Sequence, residues 1–233
     1  MVIIGILGKN DVGKSLFCTL GLKDKISNAL YFVTDGTELS CSLQPHQDKI
    51  PNIQFMNSLN DLSKLANAIK TIKEKIIIID HLGSLVNRCL AESNLDENNP
   101  NFNFQLGSLV RKKVSLPLLE CIHNARQYKK NLVIVCPLDH TSTDDLIKAS
   151  VSFDTKTAQD VFFNECDVIV HLKRKTYKPV KTLEELFEDM TYVFHYNHET
   201  QVILKDKPNA KFNKKLDNQG TLLNLLNQIF VKM

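Results

Sequence analysis

"GILGKNDVGKSLF", residues 5–17, decides the fold. Gly8 to Ser15 fits G-x-x-x-x-G-K-[ST] without a gap: Gly8, then Lys9, Asn10, Asp11 and Val12, then Gly13, Lys14 and Ser15. That spacing is what a loop needs if its backbone N–H groups are to turn inward around a phosphate. The glycines let the backbone approach closely, Lys14 supplies a point charge to the outer phosphates, and the Ser15 hydroxyl can sit on Mg²⁺. "VIIGIL" (2–7) before the loop reads as a short buried strand, and "KSLFCTLGL" (14–22) after it reads as a helix start, with Leu16 its first apolar residue. Strand, loop and helix in that order are the context the motif requires. The expected nucleotide-binding residues are Gly8, Lys9, Asn10, Asp11, Val12, Gly13, Lys14, Ser15 and Leu16. The loop implies a nucleotide and leaves its use open.

Working outward, apolar runs recur at "ALYFVT" (29–34), "KIIIID" (75–80), "NLVIVCP" (131–137) and "DVIVHL" (167–172). Continuous runs rich in β-branched residues are strands buried on both faces, as in parallel sheets. Helical patterns lie between them at 14–22, 59–74 and 116–130. Strand and helix alternating in this way predict a doubly wound α/β sheet. "MTYVFHYNHETQVILKD" (190–206) reads instead as two extended runs around a polar turn, an antiparallel hairpin at the sheet edge, and "GTLLNLLNQIFVKM" as a terminal amphipathic helix. The 233 residues suit a single domain over 1–233, with the hairpin and terminal helix at 190–233. Two polar stretches, 92–105 and 148–159, read as long loops.

Composition excludes several classes. A formal charge of +3 is too small to announce nucleic acid by itself. No apolar stretch is long enough for a membrane span, and the opening run is too short for a signal peptide. Six cysteines without a C-x-x-C pair suit buried apolar positions in a reducing cytoplasm better than disulfides or zinc. His195 and His198 in the hairpin have no acidic or cysteine partner in spacing, so no metal site is expected there.

Three further places carry chemistry. Asp80 ends the isoleucine strand, where a carboxylate can hold Mg²⁺ through its water shell opposite Ser15. Asp35 and Glu38, just past the second strand, are the candidates to orient an attacking water, with Glu38 the preferred base and Asp35 able instead to cap a turn with Gly36. Asp139 or His140, after the strand at 131–137, can sense the γ-phosphate, although a lone histidine at a strand end is more often a surface residue. The basic run at 173–181 reads as a solvated connector.

The order of these parts resembles the RecA-like ATPases, above all the small RecA-type ATPases of phages that accompany single-strand annealing proteins. The pieces carrying the resemblance are "GKNDVGKS", "LYFVTDGTEL", "IIIIDHLGSLV", "SLPLLECIHNARQYKKNLVIV", "NECDVIVHLKRK" and "VILKDKPNAKF", which span most of the chain. The resemblance implies a Mg²⁺-dependent P-loop NTPase using ATP in DNA recombination, repair or replication. It also implies single-stranded DNA or a DNA-binding protein as partner, and a homo-oligomer. In that family the late hairpin often carries Lys-Asn-Arg or Lys-Asp-Arg, which reaches a nucleotide on the neighbouring subunit. Here the residues are Lys205-Asp206-Lys207, basic but without the arginine. A second resemblance competes. Lys9 makes the loop similar to that of the ParA/MinD partition ATPases, where an additional lysine crosses a dimer, although Asn10 and Asp11 stand where that loop has glycines. A nucleotide-binding module with little catalysis is the third reading. Strand order separates the first two. In the RecA-like order the strand at 131–137 inserts between those at 2–7 and 75–80, whereas in the partition ATPases these two are neighbours.

Overall fold

Alternation along the buried strands sorts their side chains into two cores. In the strand Ile76–Asp80, Ile77 and Ile79 join one hydrophobic cluster while Ile76 and Ile78 join the other. In Asn131–Pro137, Leu132, Ile134 and Cys136 face the first, and Val133 and Val135 the second. A sheet with two apolar faces must be covered on both sides, and helices do this. The computed structural model describes residues 1–9, 12–34, 36, 38–96, 98–137, 162, 164–176, 179 and 181–196, with Val86 and 191–196 as backbone alone.

Among these residues the strands are β1 (Ile3–Gly8), β2 (Ala29–Val33), β3 (Ile53–Phe55), β4 (Ile76–Asp80), β5 (Asn131–Pro137), β6 (Val168–Arg174) and β7 (Met190–Tyr196). They form one sheet in the order β3-β2-β4-β5-β1-β6-β7. The first six are parallel, and β7 runs antiparallel to β6 at the edge. β5 thus lies between β1 and β4, which do not pair. This is the RecA-like order and not that of the partition ATPases. The chain is an α/β protein with a RecA-like core.

Helix α1 (Lys14–Cys18) packs Leu16, Phe17 and Cys18 on the second face. On the first face lie α2 (Asn60–Ala68), α3 (Gly83–Ala91), α4 (Phe102–Val110) and α5 (Leu116–Gln127). A wide π turn over Arg111–Ser115 joins α4 to α5. Pro117 accounts for it, since proline has no N–H for the Lys113 carbonyl and its ring crowds that oxygen in a regular helix. The buried Ser115 Oγ in this turn has no hydrogen-bond partner among the described residues. A last short helix, α6 (Leu183–Asp189), returns to the second face through Leu186.

Several boundaries differ from expectation. The helix expected at 14–22 is α-helical only to Cys18 and continues as 3₁₀ turns over Leu20–Asn28. That expected over 59–74 stops at Ala68, and the segment beyond it is held by Lys130, whose Nζ donates to the Ile72 and Glu74 carbonyls at 2.5 and 3.0 Å. The loop expected over 92–105 ends early, where α4 begins at Phe102. Of the edge hairpin, the first arm is β7. The second arm, the terminal helix and the loop at 148–159 lie outside the described residues.

Candidate nucleotide site

Parallel strands deliver their carboxyl ends to one edge, the usual ligand-binding edge of an open α/β sheet. Here that edge collects the turn after β1, the segment after β2 and the turn after β4. The register sets their depth. Asp80 lies level with Val33 on β2 and Val135 on β5, and Val135 is level with Ile6, two residues short of Gly8. Asp80 follows Ile79 and so faces the second core, the face that α1 covers.

The glycine-rich loop leaves β1 at Gly8 and enters α1 through Gly13. Gly13 has φ +88°, the left-handed region that side chains other than glycine rarely adopt. At Gly8 the constraint is space: an added Cβ would stand 2.7 Å from Val12 Cγ2 and 3.1 Å from the Leu172 carbonyl oxygen. Val12 is buried beneath the loop, Lys9 is half-buried, and Leu16 roots α1 in the second core. Lys14 is buried, and its ammonium donates to the carbonyls of Gly8 and Lys9, both at 2.8 Å. A lysine so placed holds the loop's own carbonyls and stands in the throat that a phosphate would enter.

Asp80 is buried, and Tyr31 donates its hydroxyl hydrogen bond to Asp80 Oδ2. Burial pushes the Tyr31 phenol well above its usual range, and the Asp80 carboxylate adds to this; the neighbouring Ser15 hydroxyl pulls the other way. Cys18, one turn beyond Ser15, is likewise raised first by burial and then by Asp80, while Lys14 lowers it. Cys136 on β5 is raised by burial and by Cys166, and it too feels Lys14 and Asp80. Lys14 and Asp80 both act on Cys18 and Cys136, and Ser15 and Asp80 both act on Tyr31, so the three lie in one neighbourhood at this edge of the sheet.

The turn after Asp80 is held by buried hydroxyls. Thr34 N donates to the Asp80 carbonyl at 2.7 Å, and His81 N donates to Thr34 Oγ1 at 2.7 Å. Thr34 Oγ1 and Ser84 Oγ each donate to the His81 carbonyl, at 2.6 and 2.8 Å, and lie 2.8 Å apart. The Asp80–His81 peptide is cis. Leu82 N completes the turn on the Val135 carbonyl.

Of the remaining expected residues, Glu38 is exposed on the segment after β2. Asn10, Asp11, Asp35, Asp139, His140, His198, Lys205 and Lys207 lie outside the described residues, and His195 is described as backbone alone. Part of the basic run is not free: Arg174 Nε pairs with Asp189 Oδ2 at 2.9 Å. Five of the six cysteines are buried and Cys41 is exposed, all as thiols. No cluster of three metal-ligating His, Cys, Asp or Glu side chains occurs among the described residues. Nor, among those residues, is any helix long and apolar enough to cross a membrane.

Tyr31 and Thr34 escaped the sequence reading. The available signal was a hydroxyl inside an otherwise apolar strand, since a buried tyrosine normally finds a hydrogen-bond partner.

No protein-family model matches the chain, and no curated protein matches it. Among solved structures it is similar to the RadB recombinase, with 13% identity, a TM-score of 0.49, and coverage of 84% of this chain and 81% of that one. Likeness at that level carries no argument about activity. The fold rests on the strand order.

Proposed function

We propose that the protein is a Mg²⁺-dependent, ATP-binding and ATP-hydrolysing RecA-like NTPase that acts in DNA recombination, repair or replication. One observation carries the reading: Lys14 is buried with its ammonium on the Gly8 and Lys9 carbonyls, on the face of the sheet toward which the strand-end Asp80 is turned. In this reading Lys14 and the loop amides hold the β- and γ-phosphates. The Ser15 hydroxyl and Asp80 carboxylate are hard oxygen donors that suit Mg²⁺, with Asp80 acting through water. Bound Mg²⁺ neutralises charge on the phosphate oxygens. Glu38 or Asp35 orients water for in-line attack, and its carboxylate accepts the proton. Lys205 and Lys207 face the nucleotide of a neighbouring subunit in a homo-oligomer, and Asp139 or His140 senses the γ-phosphate.

Single-stranded DNA, or a protein bound to it, is the proposed partner; this part rests on the sequence resemblance alone. Steady-state phosphate release with and without single-stranded DNA tests it. A rise in turnover on adding DNA supports the reading. DNA-independent turnover, with no DNA retained by the ATP-bound protein, removes DNA from it.

A further inference from the structure

The residue that holds Asp80 is not in the loop or on the strand that carries the aspartate. β2 pairs with β4 so that Val33 is level with Asp80 and Tyr31 with Ile78. Tyr31 therefore points to the same face as Asp80 from two residues back along the neighbouring strand. Its long side chain covers that offset, and its hydroxyl reaches Oδ2 of Asp80 while the ring stays buried beneath α1. The Ser15 hydroxyl and the Cys18 thiol border the same phenol. The phenol thus lies directly against the carboxylate proposed to hold the metal.

Resting on the nucleotide reading above, we infer that Tyr31 is a positioning residue of the metal site: it fixes one carboxylate oxygen of Asp80 and turns the other toward the metal's water shell. A carboxylate at a strand end has two rotational freedoms to lose before it can hold a metal. The Tyr31 bond removes them in advance and occupies an oxygen that would otherwise be a competing acceptor. Groups that orient metal ligands in this way typically change metal affinity by about 10- to 100-fold when removed.

Tyr31→Phe deletes the hydroxyl and keeps the ring that fills the second core. The test is binding of a fluorescent ATP analogue to the full chain, first in EDTA and then over a Mg²⁺ titration. The variant is expected to bind as tightly as the parent in EDTA and to need about tenfold more Mg²⁺ for half of the metal-dependent gain. Equal Mg²⁺ dependence in the two proteins overturns the role of Tyr31 while leaving the nucleotide site intact. A folded parent that binds no nucleotide, or gains nothing from Mg²⁺, overturns the underlying reading instead, and this inference with it. Should the variant fail to fold, the parent decides. A tyrosine hydroxyl proton bonded to a buried carboxylate exchanges slowly, and its downfield proton resonance must shift when Mg²⁺ joins the ATP complex. No shift overturns the inference.

Discussion

Asp61, at the start of α2, shows how a single carboxylate sets a local boundary. Its Oδ2 accepts from Asn57 N and Ser58 N at 2.8 and 2.9 Å, and its Oδ1 receives Lys64 Nζ at 2.7 Å. The Lys64 bond, followed by the backbone bonds, lowers its pKa from 3.8 to about 2. A pKa depressed by folding means stability that is full above the unfolded value and lost as pH falls through the folded one. Asp61→Ala is therefore expected to cost about 1 kcal/mol near neutrality, the usual scale for a helix-start carboxylate near the surface. The gap between parent and variant should close as pH drops from about 4 toward 2. Urea unfolding at a series of pH values checks this, and a gap that stays constant over that range contradicts it. At the proposed nucleotide site, spacing alone marks Gly8 to Ser15 and the aspartate closing a run of isoleucines as candidates. The hydroxyls of Tyr31 and Thr34 gave only a weak signal, because both residue types favour strands for packing reasons alone.

At the scale of elements, the glycine-rich loop at Gly13 rests on the turn from α6 into β7. A Cβ placed on Gly13 would run into Met190 Cε, with Leu186 next nearest. Asp189 locks that turn, its Oδ2 taking Arg174 Nε and its Oδ1 taking Thr176 N and Oγ1 at 3.0 and 2.9 Å. Partial burial raises the Asp189 pKa, but the Thr176 and Arg174 bonds outweigh it and hold the carboxyl below its usual range. Gly13→Ala therefore meets two obstacles. The methionine tip is flexible and can yield, whereas the left-handed backbone costs alanine about 1–2 kcal/mol. Adding Met190→Ala to Gly13→Ala should accordingly fail to restore stability or ATP affinity; full recovery in the double variant would show that the contact, and not the backbone, was limiting. The long strands were legible to within one or two residues because each is a continuous apolar run. β3 was not, being three residues long and only partly buried. α6 was missed although it carries a start signal: Thr182 Oγ1 accepts from Glu185 N at 3.1 Å, and Glu185 Oε2 accepts from Lys181 N at 2.7 Å. The segment that follows α2 was not legible either, since the lysine that holds its Ile72 carbonyl comes from 58 residues further on.

For the whole molecule, the sheet order decides between the two families whose loops the sequence resembles, and it selects the RecA-like arrangement. Order could not be read from the sequence, because strand runs of similar composition do not say which pairs with which. If subunits share nucleotides through Lys205 and Lys207, Lys205→Ala/Lys207→Ala and Lys14→Ala proteins should each be inactive alone and regain partial ATPase activity when mixed. Normal hydrolysis by the double variant alone would reduce the hairpin to a solvated edge. All of this depends on the loop at residues 8–15 holding a nucleotide. The most direct measurement is calorimetric ATP binding to the full chain, with and without Mg²⁺, beside a Lys14→Ala protein whose fold is verified by circular dichroism. Saturable ATP binding by the parent, tighter with Mg²⁺ and lost in the variant, is the expected result. Parent protein that binds no ATP, or a folded Lys14→Ala protein that binds it as tightly as the parent, would contradict the nucleotide site.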